Sequence, residues 1–235
     1  MSKDPKDADR SVTLDDGTVV TWESWELGKP RHDGSRHVAP VLRDGEQVSE
    51  YVIVDEDEAI AAAAGVWRLD VEPGRLTAAL PDGRTFAAVA DDKPKFSRAK
   101  RIAVDFAAAA TEAPADDAAG AARDAADRPA EAGAAGADAA GVPQEARIVC
   151  EASQHYVIED ATGVKLGQFT GANHGVRAAE IQFDTPEGRA LTDDQKMFLT
   201  WSARHILESR LVSSTWILTV CLLLLIAYLV YIWVL

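Results

Sequence analysis

Apolar and polar residues alternate in short runs through most of the chain, and then the alternation stops. From Leu211 to Leu235 no charged residue occurs. The two regimes predict different structures. Alternation over about four to eight residues between turn signals marks a half-buried strand, because successive side chains of a strand point to opposite faces. "GTVVTWESWEL", "EYVIVDE", "VWRLDVE", "RLTAAL", "RTFAAVA" and "RIAVDF" carry that pattern within residues 11–106. "ARIVCEAS", "HYVIEDATG", "VKLGQFTG" and "RAAEIQF" repeat it within 144–191. Asp16-Gly17, Asp44-Gly45, Pro73-Gly74 and Asp82-Gly83 are turn pairs, "ALPDGRTFAAV" reads as a hairpin, and Gly163 turns another. "DEAIAAAAG" departs from the pattern and predicts a short helix closed by Gly65. The expected fold class is mainly β.

A helix is expected over 192–213, where Thr192 and Gln195 form a capping box. Its early residues Met197, Phe198, Leu199 and Trp201 point in nearly all directions on a helical wheel, which predicts a helix enclosed by other structure rather than one lying on a surface. The rival arrangement is an interfacial helix with Trp201 anchored in lipid. The charge-free segment 214–235 follows. From Thr215 onward, at about 1.5 Å per residue, it makes a helix about 31 Å long, the thickness of a bilayer's hydrocarbon core. Trp201, Trp216, Tyr228, Tyr231 and Trp233 are candidates for the membrane interfaces. Arg204 and Arg210 precede the segment and no basic residue follows it, so the positive-inside rule keeps the bulk of the chain cytoplasmic. The expectation is a single-pass tail anchor in the cell (inner) membrane.

Two segments fall outside this patterning. Residues 1–10 are polar and of mixed charge, expected as a disordered leader rather than a signal peptide. Residues 107–143 hold 19 alanines among scattered acids, glycines and prolines, with Val142 the one large apolar side chain. Such a segment buries no core and is expected as an acidic, solvated linker.

Charge then narrows the function. The net charge is −14, and no large part of the chain is basic overall. That argues against nucleic acid as a partner, since such binding draws on Lys and Arg neutralising phosphates. Two cysteines, Cys150 and Cys221, make no disulfide framework and suit a reducing compartment. Few lysines beside many alanines, aspartates and arginines suggest a GC-rich bacterial genome.

Against the acidic background, Lys93, Lys95, Arg98, Lys100 and Arg101 gather around Phe96 in "DDKPKFSRAKR". They are the candidate lipid-binding residues, able to meet a phospholipid headgroup or an anionic leaflet. The competing interpretation is a strand edge guarded by lysine. Asp55 to Glu58, "DEDE", lacks the alternating ligands and glycine of a calcium loop and suits a helix N-terminus. The histidines His32, His37, His155, His174 and His205 have no metal-ligand spacing. Cys150 and His155 are the only conceivable thiol and base, with no third group to orient them. No nucleotide-binding or nucleophile-elbow motif occurs, so no metal, cofactor or enzymatic activity is expected. Trp22 and Trp25 fall on opposite faces of one strand, which leaves either both covered or one available to a partner.

"YVIEDATGVKLGQFTG", "IQFDTP" and "LTDDQKMFLTWSARHILE" resemble the last hairpin, strand, acidic turn and final helix of the tubby-like, LURP-one and phospholipid scramblase group. The resemblance covers about residues 146–209. It implies a closed β-barrel around a central helix, membrane association and phospholipid binding, and it brings no established chemistry. In such a barrel the linker would interrupt the wall. The residues without the resemblance give two β-rich modules, one on either side of the linker.

The expected function is that of a non-enzymatic, tail-anchored protein whose cytoplasmic β-rich domain binds membrane lipid or acts as a scaffold. The alternative is an accessory subunit of a membrane complex, with its anchor packed against an integral membrane protein.

Overall fold

The computed structural model describes residues 11–13, 19–55, 57–108, 142–152, 154–171 and 179–234, without the side chains of 11–13, 19, 20, 211–219, 221, 227 and 234. The first strands, β1 (Ser11–Thr13) and β2 (Val19–Thr21), pair only with each other. Then come β3 (Glu23–Leu27), β4 (Arg31–Asp33), β5 (Arg36–Arg43), β6 (Glu46–Val54), β7 (Asp57–Ala62), β8 (Gly65–Glu72), β9 (Arg75–Ala79), β10 (Thr85–Ala90) and β11 (Arg101–Asp105). Beyond the linker lie β12 (Glu145–Ala152), β13 (His155–Asp160), β14 (Lys165–Thr170), β15 (Ala179–Phe183) and two helices, α1 (Pro186–Arg189) and α2 (Asp193–Val234).

Consecutive strands from β5 to β15 pair antiparallel, β15 pairs with β3, and β3 pairs back onto β5. Twelve strands therefore close a barrel. The short β4 runs along the other half of the same β5 edge, with Arg31 opposite Val38. The two strand-rich segments are one structure: β11 and β12 pair from Arg101↔Val149 to Asp105↔Glu145, so the linker leaves and re-enters between neighbouring strands of the wall. This is the closed barrel that the family resemblance implies, and the separation into two modules does not occur. Among the described residues, closure leaves no long strand edge open to pairing with another chain.

Alternation sets which side chains enter the barrel. Ile102 and Val104 of β11 are buried between exposed Arg101, Ala103 and Asp105, and β15 buries Ala179, Ile181 and Phe183 in the same rhythm. The expected helix at "DEAIAAAAG" is instead strand β7, which pairs with β6 and β8 on its two sides, Tyr51 and Trp67 flanking Ile60. Alanine favours helix only weakly, and two neighbouring strands with backbone groups to satisfy outweigh that preference.

Helix α2 fills the lumen. Between Gln195 and Leu207 every side chain is buried except that of His205, which is only partly covered, and buried residues occupy every side of the helix. Phe198 meets Phe86 at 5.6 Å and Phe106 at 6.4 Å edge to face, and Trp67 packs on Phe86 at 6.1 Å. These are the geometries that aromatic pairs favour. The capping box forms as expected: Thr192 N donates to Gln195 Oε1 at 3.0 Å, and Gln195 N to Thr192 Oγ1 at 3.3 Å. Just before it, α1 is capped by Thr185 and seats Gly188 against the Leu166 carbonyl, where an added Cβ would lie 1.6 Å away.

The helix runs unbroken for 42 residues, about 63 Å. The expected anchor, segment 214–235, falls on its C-terminal part. Among the described residues no helix is long and apolar enough to cross a membrane. Within segment 214–235 the side chains of 214–219, 221, 227, 234 and 235 lie outside the described residues. The expected leader 1–10, the turn at Asp16-Gly17, His174 and most of the linker also fall outside the described residues.

Candidate functional site

The barrel has two mouths, and the antiparallel order assigns every connection to one of them. The mouth where α2 begins holds the turns at 44–45, 63–64, 80–84 and 161–164, together with the two ends of the linker. Ion pairs and one amide fasten the helix there: Arg43 to Asp193 at 3.1 Å, Arg84 to Asp194, and Gln195 Nε2 donating to Pro143 O at 2.8 Å. It is called the linker mouth below. Deeper in, Lys196 is buried and its Nζ donates to Glu23 Oε2 at 2.8 Å and to Arg189 O at 2.9 Å. Burial pushes the Glu23 carboxyl up, but bonds from Lys196 and Trp25 outweigh it and hold the group below its ordinary range.

Helix α2 leaves through the opposite mouth, which holds the turns at 34–35, at Asp55 and at 73–74 and the long β10–β11 loop. Glu58, at the start of β7, accepts from Trp201 Nε1 at 2.9 Å and lies 3.0 Å from Nε2 of His205. Burial pushes Glu58 up, and contacts with His205 and Tyr51 more than reverse it, so its carboxyl sits below the ordinary range. Tyr51 is driven the other way, its phenol pushed far up by burial and then by the Glu58 carboxylate. Arg204 lies over the Tyr51 ring at 5.4 Å and bonds Glu208 at 2.7 Å. On the other side of the helix Arg210 covers the Tyr156 ring at 5.1 Å and donates to Ala99 O at 2.9 Å.

That last bond fixes the basic cluster in space. The loop 91–100 is folded by its own residues: Asp92 Oδ1 accepts from Lys100 N at 3.0 Å and Arg101 N at 3.4 Å, while Phe96 and Ala99 are buried. Gly74 of the β8–β9 turn supports it from beneath, since a Cβ there would come 2.5 Å from Pro94 O. Lys93, Lys95, Arg98 and Lys100 are exposed, and Arg101, the first residue of β11, faces outward 3.6 Å from Asp91. All five cations therefore rim the mouth from which α2 emerges. Phe96 points into the core and is not part of any exposed surface. The rim is mixed, with Asp33, Asp55 and Asp57 also exposed on its far arc.

The interface candidates divide. Trp201 is enclosed, with its indole nitrogen held by Glu58, and is not at a membrane surface. Tyr228, Tyr231 and Trp233 are exposed on the emerging helix, as are Leu222, Leu223, Leu224, Leu225 and Ile226. The Trp216 side chain lies outside the described residues. Trp25 is fully buried, and Trp22 is half-buried.

Elsewhere the candidate chemistry does not assemble. Cys150 Sγ donates to Ala152 O at 2.9 Å, and His155 is exposed opposite Ala152 across the strand pair. His32 and His37 face each other on exposed β4 and β5, their rings 4.0 Å apart and tilted by 52°. Among the described residues no group of three potential metal ligands occurs, and Glu58 of the acidic run binds the helix. The sequence concealed the contact of Glu58 with His205, because 147 positions separate them and nothing local marks either residue. The chain matches no family model, no curated protein and no solved structure.

Proposed function

We propose that this chain is a single-pass membrane protein anchored by the C-terminal part of α2, with the barrel on the cytoplasmic side as a non-catalytic module that contacts anionic lipid and scaffolds. The observation that carries the proposal is the row of apolar side chains from Leu222 to Ile226, exposed one after another and followed by exposed Tyr228, Tyr231 and Trp233. Five successive residues span every side of a helix, so the helix end lacks a wet face and a dry face. Lipid covers such a surface all round. A single partner helix, the accessory-subunit alternative, would cover one stripe. Within the uncharged sequence from Leu211 to Leu235, the stretch from Thr215 onward matches the length of a bilayer core, and the arginines before it supply the orientation. The barrel around a helix is the architecture of the tubby-like and scramblase group, which supports lipid contact as its role.

The test is alkaline extraction of membranes from cells expressing the full chain. Wild type stays in the pellet. Leu223→Arg with Ile226→Arg, each costing about 2.5–3.5 kcal/mol at a bilayer centre, moves the protein to the supernatant. Wild type in the supernatant overturns the anchor. Replacing Lys93, Lys95, Arg98, Lys100 and Arg101 by Gln weakens binding to anionic vesicles and leaves binding to neutral ones unchanged. A stoichiometric protein captured by crosslinking, with no lipid preference, favours the accessory-subunit alternative.

A further inference from the structure

The helix that anchors the protein is the helix that fills the barrel, and its backbone is continuous between the two. This inference rests on the membrane anchor proposed above. A core helix gripped at both mouths cannot change its angle to the barrel. At the linker mouth Lys196, Asp193, Asp194 and Gln195 hold it, and at the other Trp201, His205 and Arg210 do. From Arg210, bonded to the loop at Ala99, to Thr215 is five residues, or about 8 Å of helix. Headgroups occupy roughly 5–7 Å on each side of the hydrocarbon core. The loop carrying Lys93, Lys95, Arg98 and Lys100 thus reaches headgroup depth with no further chain to spare.

We infer that the barrel stands end-on upon the bilayer, with the mouth bordered on one side by the 91–101 loop seated on anionic lipid headgroups and the linker mouth turned away from the membrane. The rigid connection sets the orientation, and charge refines it. The 91–101 loop carries five cations against Asp91 and Asp92 and attracts an anionic leaflet, while Asp55 and Asp57 on the far arc, beside the Asp33–Arg36 pair, are repelled, so the barrel leans toward its basic side. The linker roots, near Ala108 and Val142, lie at the other end of a lumen that α2 crosses in 13 buried or half-buried residues, about 20 Å.

The experiment places single labels on the full chain in liposomes containing anionic lipid, with Cys150→Ala and Cys221→Ala as background. Exposed Lys95→Cys and Glu72→Cys report the basic mouth, and exposed Ala161→Cys reports the linker mouth. A fluorophore at each site is challenged with a nitroxide attached to the lipid headgroup. Quenching is expected to be several-fold stronger at 95 and 72 than at 161. Equal quenching at all three sites, or stronger quenching at 161, overturns the end-on orientation. Flotation of the same samples separates the two levels: protein that fails to float refutes the anchor, whereas floating protein with equal quenching refutes the orientation alone. Inserting Gly-Ser-Gly-Ser after Arg210 supplies a flexible joint. The contrast between 95 and 161 is expected to shrink, and an unchanged contrast shows that the rigid helix does not set the orientation.

Discussion

Glu58 of the wall and His205 of the core helix meet at 3.0 Å, and the same carboxylate oxygen accepts from the Trp201 indole at 2.9 Å. One side chain thereby ties the barrel to two turns of the helix just before it leaves. The folded-state pKa of Glu58 lies below its ordinary 4.5. A depressed carboxylate stabilises the fold fully above the unfolded value and loses that contribution as pH falls through the folded one. Thermal unfolding between pH 7 and pH 3 is expected to show stability falling below about pH 4.5, and Glu58→Gln to flatten part of that slope. At pH 7 the substitution is expected to cost about 1–3 kcal/mol, the penalty for weakening a buried charged acceptor. An acid slope identical to wild type would show that this carboxylate does not clamp the helix.

At the linker mouth Lys196 and Glu23 form a second clamp, with both side chains largely withdrawn from water. Removing one member of a buried pair strands the other, a loss of roughly 3–5 kcal/mol. Lys196→Met is expected near the lower end of that range, because Trp25 and Arg43 still reach Glu23, Arg43 at 3.2 Å. Adding Glu23→Gln should recover part of the loss. Chemical denaturation of the four combinations measures the coupling. Simple additivity would mean the pair contributes nothing beyond packing.

Ser202 lies at 0% exposure inside the lumen, and its hydroxyl has no partner among the described residues. A buried polar group without a hydrogen bond is a net cost. Alanine also removes the small helix-propensity disadvantage of serine. Ser202→Ala is therefore expected to stabilise the protein by about 1 kcal/mol, read as a rise in Tm. Phe198→Ala, which empties the space between Phe86 and Phe106, should do the opposite by about 3–5 kcal/mol.

Much of this architecture is legible in the sequence, and the reasons are local. Alternation marks the strands, and Asp44-Gly45 and Gly163 mark turns at which both glycines indeed take positive φ. The capping box marked where α2 begins, and the all-round apolar pattern from Met197 to Trp201 announced a helix enclosed on every side. What local pattern conceals is pairing. Nothing in "DEAIAAAAG" says that strands wait on both sides of it, so alanine's preference for helix misleads there. Nor does an acidic run reveal that its last member, Glu58, faces a histidine and a tryptophan far along the chain. The basic cluster was visible as composition. Its position beside the departing helix depends on Arg210 reaching the Ala99 carbonyl, a contact across 111 positions.

The order of elements along the chain bears on how this barrel is made. Every strand of the wall is synthesised before the helix that fills it, and closure pairs Trp25 with Ile181, residues 156 positions apart. Before residues 193–207 emerge, the inward faces of Trp67, Phe86 and Phe106 have no core to pack against, so the wall strands gain little by pairing. Folding is thus a late and cooperative event, expected to be slow for a chain of this size. Until residues 193–207 arrive, the nascent protein carries an apolar wall with nothing to enclose.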